Sequence, residues 1–425
     1  MKYFIGIGLL LLTGPFLSGQ ITYIKAGRLL DVEKGIMIPN QVIVIEMDTI
    51  KQVGSSITIP TNSKVIDLSS YTVLPGLIDC HTHITSQYGG NYYEEIFRKT
   101  PFEAAILSTN YADTTLNAGF TSCRDLGSGA FVDVALKNTI NKKQVRGPHL
   151  QVSAMDVGAT GGHSDNNGFS PFLDWNLPKE FSGLADGEDE IRHLIRYEIK
   201  HGADVIKIMA SAGVLSEEES SAAPQYSLEE LKAAADEAHR WGRKIAAHAH
   251  GSEAVKLAVK AGINSIEHGS ILDDETVALM KQNGTWYVPT LFVGNYFVEK
   301  MSNSDFPEKI KAKARFISGQ TGISLQKAIK AGLKIAYGTD AGVFPHGLNA
   351  KQFKLFIDNG MTPLQAIQTA TINAADLMGW LGKTGSITAG KWADIIAVKG
   401  DPLKDITELE RVKFVMKSGV VYKNL

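Results

Sequence analysis

Apolar and polar positions alternate with a period of two from about Ile21 to Leu68, as in Gln41-Val42-Ile43-Val44-Ile45-Glu46-Met47, with turn residues between the runs. Successive side chains of a strand face opposite ways, so this spacing predicts short, half-buried strands. The same character returns in Ala393–Val398, Arg411–Met416 and Gly419–Tyr422. The two chain ends, residues 20–72 and 384–425, are therefore expected to join in one small flanking β-sandwich domain. Between them, short apolar runs alternate with helix-period segments. The expected strands are Val73–Cys80, Thr121–Arg124, Leu150–Ala154, Asp204–Met209, Lys244–Ala247, Ser265–Glu267, Trp286–Pro289 and Lys334–Gly338. The clearest helix, Leu228–Trp241, is opened by Ser227 with Glu230 three residues on, the spacing of a capping box. Eight such alternations predict an α/β fold, a (β/α)8 TIM-like barrel over residues 73–383. A doubly wound open sheet leaves the same local signature. The stretch Gly161–Gly187 has no clear period and reads as a long loop, a kind of segment that often carries function.

The N-terminus breaks this pattern. Lys2 precedes the apolar run Tyr3–Leu17, followed by the small residues Ser18 and Gly19. A basic start, a short apolar stretch and small residues at its end predict a secretory signal peptide over residues 1–19. Export to the periplasm or the extracellular space follows. The run contains Gly and Pro and is too short for a good spanning helix, so no stable membrane insertion is expected after cleavage. A formal net charge of -2 over 425 residues leaves no electrostatic footprint for nucleic acid. With two cysteines, Cys80 and Cys123, neither a disulfide framework nor a thiolate zinc site is available. Two separate buried thiols are expected. Nothing in the sequence decides for or against a homo-oligomer.

The candidate chemistry gathers at the expected strand ends, where barrels carry their active sites. His81 and His83 close the first strand one residue apart, so both imidazoles point the same way. Lys207 lies inside the apolar run Asp204–Met209, His248 ends the fifth strand, His268 the sixth and Asp340 the eighth. Each has an ordinary reading alone. A strand-end histidine is often a hydrogen-bonded core residue, a lysine can snorkel to solvent, and an aspartate can cap a turn. Six coincidences on one set of strand ends favour a joint role. Four neutral imidazoles and a carboxylate suit zinc or a similar divalent ion. A charged lysine has no lone pair to offer. Burial lowers its pKa, and the neutral amine can then take up CO2 as a carbamate whose two oxygens bridge two metals. Such a pair would activate a water between them, with Asp340 shuttling its proton to the leaving amine.

The motifs Leu74-Pro75-Gly76-Leu77-Ile78-Asp79-Cys80-His81-Thr82-His83, Asp204–Gly213, Ala247-His248-Ala249-His250-Gly251, Ile266-Glu267-His268-Gly269 and Gly338-Thr339-Asp340-Ala341-Gly342 resemble the amidohydrolase superfamily. The resemblance is to its branch of imidazolonepropionase-like proteins and Xaa-Pro or Xaa-Arg/Lys dipeptidases, and it covers nearly the whole chain after residue 19. It implies that His81, His83 and Asp340 bind one metal, His248 and His268 the other, and carboxylated Lys207 bridges them. It implies hydrolysis of a C–N bond in a small substrate, a dipeptide or N-acyl amino acid. His163 resembles the branch's substrate-side histidine. Tyr226 is read either as an oxyanion-hole donor or as a hydrophobic staple before the helix at Leu228. Arg124 is expected to pair with a neighbouring acid, His250 to line the site or pack behind it, and His346 and Asn349 to lie on the recognition face. A lactone or imidazolone-ring hydrolase would use the same chemistry. A mononuclear deaminase would not need Lys207, and a non-catalytic scaffold would not need the full ligand set.

Overall fold

The computed structural model describes residues 20–88, 98–167, 170, 172, 181–301 and 306–424. The leader-like residues 1–19 and part of the Gly161–Gly187 loop lie outside the described residues. The two chain ends meet in one sheet. Its strands are β1 (Ile21–Asp31), β2 (Ile36–Glu46), β3 (Thr49–Gly54), β4 (Lys64–Pro75), β12 (Ile395–Val398), β13 (Phe414–Lys417) and β14 (Val420–Lys423). They run in the order β14-β13-β12-β4-β1-β2-β3, a single seven-stranded sheet where a two-sheet sandwich was expected. The sheet rolls: Ile50 N donates to Lys391 O and Ala393 N to Asp48 O, tying the β3 edge back to the residues before β12. One face thereby encloses its own core, with Ile24, Ile43, Ile45, Ile395, Phe414 and Met416 buried together. Strand β4 runs unbroken past residue 72 and pairs with β12 up to Pro75.

Between Leu77 and Val288 the strands are parallel. β5 (Leu77–Thr82), β6 (Phe120–Asp125) and β7 (His149–Val152) form one ladder. β8 (Val205–Met209), β9 (Lys244–Ala249), β10 (Ser265–His268) and β11 (Trp286–Val288) form a second. Backbone bonds join the two ladders at both sides. Asp204 N reaches Val152 O at 2.8 Å, and Val157 N reaches Lys207 O at 2.8 Å. Across the other gap, residues 334–340 bond to β11 through Ala336 N and Tyr287 O at 3.0 Å, and to β5 through Cys80 N and Tyr337 O at 2.8 Å. That segment was expected as a regular eighth strand, yet it makes only an isolated bridge, Ile335 to Tyr287. Tyr337 N turns instead to Thr369 O, and the left-handed backbone at Asp340 ends any extension.

Helices cover the outside of this circuit, among them α1 (Pro101–Asn117), α2 (Val132–Asn141), α3 (Gly187–His201) and α4 (Leu228–Arg240). The capping box at Ser227 and Glu230 is formed in both directions, and Trp241 caps the other end of α4. After it come α5 (Ser252–Lys260), α6 (Asp274–Asn283), α7 (Leu291–Met301) and α8 (Glu308–Ala331). Cys80 and Cys123 are buried, unbonded thiols. No helix among the described residues is long and apolar enough to cross a membrane.

Candidate metal centre

Alternation along β5 sends His81 inward, while the intervening Thr82 hydroxyl turns away to Arg124 O at 3.3 Å. His83 follows directly after the strand. Its Nδ1 donates to Gly127 O at 3.2 Å, which leaves the Nε2 lone pair facing inward. Asp340 meets both rings, its Oδ1 lying 3.2 Å from His83 Nε2 and 3.5 Å from His81 Nε2. His268 ends β10, with its Nδ1 2.7 Å from Thr290 Oγ1. Its ring centroid stands 4.9 Å from that of His81 and 4.6 Å from that of His248. His248 Nε2 lies 3.2 Å from Ala212 O. Lys207, central on β8, lines the same cavity and is 1% exposed. The structure thus brings all six sequence-predicted ligand candidates to one end of the strand circuit.

Two of them sit on costly backbone. His268 has φ 68° and Asp340 φ 67°, a left-handed conformation that non-glycine residues rarely adopt. Strain of this kind, on the order of 1–3 kcal/mol per residue, persists where the surroundings dictate it and clusters at functional sites.

The electrostatics favour ligand-ready groups. Burial, reinforced by the Lys207 charge, depresses His81 to about 4 despite Glu267 and Asp340. His248 and His268 are pushed well down by burial and by neighbouring imidazoles. All three are then neutral near pH 7 and carry a free lone pair. His83 alone is raised, because Asp340 outweighs its burial. Burial lowers Lys207, opposed by Glu267 and Asp340, which increases the share of neutral amine. Burial would raise Asp340, but His83, His81 and Lys207 hold it well below the usual carboxylate range.

Do these residues fit a metal? His81 Nε2 is buried with no hydrogen-bond partner, an orphan donor atom aimed at the Asp340 carboxylate. Ligand atoms of His81, His83 and Asp340 all lie within 4.8 Å of one another. Two imidazoles and a carboxylate converging on one point form a donor set for a zinc-like divalent ion. They fit.

Behind the ligands stands a polar layer whose acids, Glu267 and Asp79, the sequence did not single out. Glu267 Oε2 accepts from His81 Nδ1 at 2.9 Å, which directs the His81 Nε2 lone pair toward the cavity. Its Oε1 takes Arg124 Nη2 at 2.8 Å and Ser265 Oγ at 2.6 Å. Arg124 therefore pairs with Glu267, not with its neighbour Asp125, and its Nε donates to Cys80 O at 2.6 Å. Asp79 receives His81 N, Thr339 Oγ1 and Asn349 Nδ2, so Asn349 braces the base of the site. The signal was available: Glu267 and Asp79 are acids inside apolar runs, one and two residues before a ligand candidate.

The expected substrate residues divide. His163 lines the cavity, its ring 4.4 Å from that of His248 and its Nδ1 2.6 Å from Ser216 Oγ. Its ring packs on Gly213, where an added Cβ would lie 2.1 Å from His163 Cε1. His250 also lines it, with Nδ1 2.9 Å from Ser270 Oγ. Tyr226 is a correction to the oxyanion reading. Its hydroxyl is committed to Ala185 O at 2.8 Å, and its ring shares the buried core with Leu231, as a hydrophobic staple requires. His346 is likewise placed away from the cavity. It stacks on Tyr111 at 5.0 Å and bonds Ser86 O through Nε2 at 2.8 Å, so it fastens the loop after residue 340.

The cavity holds about 280 Å³. Its floor is the imidazole, lysine and carboxylate cluster, and its upper wall is apolar, carried by Val214, Leu215, Phe297, Ala314, Ile317 and Val343.

Comparison with known proteins places this geometry in context. The family model of the amidohydrolases matches residues 72–422. The ochratoxinase of Aspergillus niger is 34% identical over 427 residues, covering 96% of this chain and 87% of that protein. Among solved structures, a Xaa-Pro dipeptidase with methionine bound in its active site superposes with a TM-score of 0.91 at 39% identity, covering 95% of this chain and all of the other. A prolidase in complex with N-methylphosphonate-L-proline superposes with a TM-score of 0.88 at 31% identity, covering 95% of this chain and all of the other.

Proposed function

The chain belongs to the amidohydrolase family and is a hydrolase of C–N bonds; from that premise we propose that it cleaves the amide bond of a dipeptide or N-acyl amino acid, the Xaa-Pro type foremost. The observation that carries this reading is the convergence of His81, His83, Lys207, His248, His268 and Asp340 on one cavity of small-molecule size. His81, His83 and Asp340 would hold one divalent ion, and His248 and His268 a second, with Lys207 as a carbamate between them. Zinc is the expected metal. When bound, such ions acidify a water and polarise a carbonyl.

The chain's own groups supply the rest. Glu267 and Gly127 O fix the tautomers of His81 and His83, so that each presents a lone pair. Asp340, ionised and directed inward, takes a proton from the attacking water and returns it to the leaving nitrogen. His163 and His250, both depressed to about 4 mainly by burial, are neutral N–H donors for the substrate's polar atoms. The apolar wall excludes water above them.

In this proposal the hydrogen-bonded circuit is a (β/α)8 barrel over residues 73–383, with residues 20–72 and 384–425 flanking it. The enzyme works outside the cytoplasm after loss of residues 1–19, which N-terminal sequencing of the mature protein tests. The relatives' activities, Xaa-Pro dipeptidase, prolidase and ochratoxinase, support an amide over a ring lactam or lactone.

The test joins metal analysis to a substrate panel. Wild-type protein should carry two ions per chain and cleave dipeptides or N-acyl amino acids. Lys207→Ala should lose bound metal and most turnover. Two tightly held ions and normal rates in that variant would remove the carbamate bridge. Ammonia release from nucleobases with no amide cleavage would favour a deaminase.

A further inference from the structure

Five of the six side chains that carry the cavity's apolar wall belong to one hydrophobic cluster, separate from the barrel core. Phe297, Phe306, Ile310 and Ala314 are buried together, and Tyr88, Val214, Leu215 and Val343 pack against them. Phe306 anchors the group, its ring 5.4 Å from Phe297 and 5.6 Å from Tyr88. The cluster is assembled from four stretches far apart in sequence: residue 88, the loop after β8, helices α7 and α8 with Phe306 just before α8, and the loop after residue 340. Each of these stretches follows a strand end or covers it, so the wall continues directly from the metal-site floor.

A second observation concerns how the wall is held. Lys313, on α8 next to Ala314, is 8% exposed and points its ammonium at backbone carbonyls. Nζ donates to Ser216 O at 2.6 Å, to Glu218 O at 2.7 Å and to Gly213 O at 3.4 Å. Val214 and Leu215 lie between those carbonyls, and Ser216 in turn holds His163. Lys313 thus clamps the loop that carries two of the wall's side chains, Val214 and Leu215, and fixes the substrate-side histidine.

A third observation is chemical. Among the described residues, the only carboxylates lining the cavity are Asp156 and Asp340. Asp156 accepts from Ser164 Oγ, and Asp340 faces His81 and His83. None of the three acids of the neighbouring loop, Glu217, Glu218 and Glu219, lines the cavity; Glu217 pairs with Lys309, and Glu218 accepts from Gln225 through Oε1 while its Oε2 is buried without a hydrogen-bond partner. None of the wall's own side chains is a carboxylate, so a cationic side chain placed against the wall would lose its water without gaining a counter-ion there, whereas an apolar one gains by burial.

We propose that this wall binds a large uncharged apolar group on one side of the scissile amide, with Lys313 as the positioning residue that holds the wall in register with His163. The inference deepens the proposed function: it names the side-chain class and excludes substrates with arginine or lysine at that position.

Binding tests it independently of turnover. Calorimetric titration of metal-loaded wild-type protein with 3-phenylpropanamide and with the cationic 5-aminopentanamide should show at least about a 10-fold preference for the aromatic amide. Leu215→Glu and Val343→Glu, both at half-buried positions, should each reduce or invert that ratio while metal content stays at the wild-type value. Lys313→Met should raise KM for aromatic dipeptides more than it lowers kcat, because the wall is displaced and the metal ligands are not. Equal or tighter binding of the cationic amide, or Glu variants with the wild-type ratio, would overturn the proposal. Aromatic preference without cleavage of any amide would keep the wall and sink the dipeptidase reading. Cleavage favouring Arg or Lys at both positions would keep that reading and sink the wall.

Discussion

Replacing Glu267 by glutamine probes the buried layer that orients the site. The Arg124–Glu267 pair is 2.8 Å long, with side chains 1% and 0% exposed, so solvent does not screen it. Removing the carboxylate charge leaves the guanidinium buried without a counter-charge, which costs about 3–5 kcal/mol. Unfolding entropy near 2.1 cal/mol/K per residue gives roughly 0.9 kcal/mol/K for a chain of this size, so Tm should fall by about 3–6 °C. Burial would raise the Glu267 carboxyl, but Arg124 and His81 hold it at about 2, against an ordinary value of 4.5. Its folded pKa is depressed, so the stability it contributes is present above pH 4.5 and is lost as pH falls through about 2. Glu267→Gln should flatten that acid limb. Glutamine also supports the His81 Nδ1–H less strongly than a carboxylate, and metal affinity should drop about 10- to 100-fold. Thermal denaturation of metal-free protein from pH 3 to 7 and chelator competition measure the two effects. Adding Arg124→Met should restore part of the lost stability, since the stranded charge is gone. A Tm within 1 °C of wild type together with unchanged metal affinity would refute the reasoning.

Tyr226→Phe should cost about 1 kcal/mol by leaving Ala185 O unpaired, with kcat/KM near wild type; a hundredfold loss of turnover would restore an oxyanion role for the hydroxyl. Gly213→Ala should push His163 aside, because the new Cβ would fall 2.1 Å from its ring. Hydrolysis should then drop by about 10-fold or more with metal content intact, and an unchanged rate would show that His163 does not position substrate. Asp133 is raised from 3.8 to about 8 by burial and by the nearby Asp125 charge. The folded carboxyl therefore keeps a proton that the unfolded chain has released, and stability should decline as pH rises between those values. Asp133→Asn should remove that slope, which thermal midpoints at pH 5, 6, 7 and 8 will show; parallel profiles for the two proteins would disprove it.

What the sequence determined by itself is local. Strand alternation over Ile21–Leu68, apolar runs ending in His81, His248 and His268, and the Ser227–Glu230 cap are all set by neighbours within a few residues. Periodicity and capping act at that range, so they could be read directly from the chain. The residue types also directed the chemistry, since imidazoles, a carboxylate and a lysine in an apolar strand make up a donor set for a divalent metal ion. The tertiary structure decided how those pieces meet. His81 and Glu267 stand 186 positions apart in the chain and touch at 2.9 Å, a contact that no local pattern encodes. The same holds for Lys313 and the 213–218 loop. Tyr226 and His346 were credible site residues by position, and only packing showed their polar atoms committed to Ala185 O and Ser86 O. The irregular 334–340 segment followed an apolar pattern in sequence, but the left-handed turn at Asp340 and the bond to Thr369 took it out of a regular strand. A buried polar atom must find a partner wherever the fold supplies one, and the sequence alone does not show where that partner is.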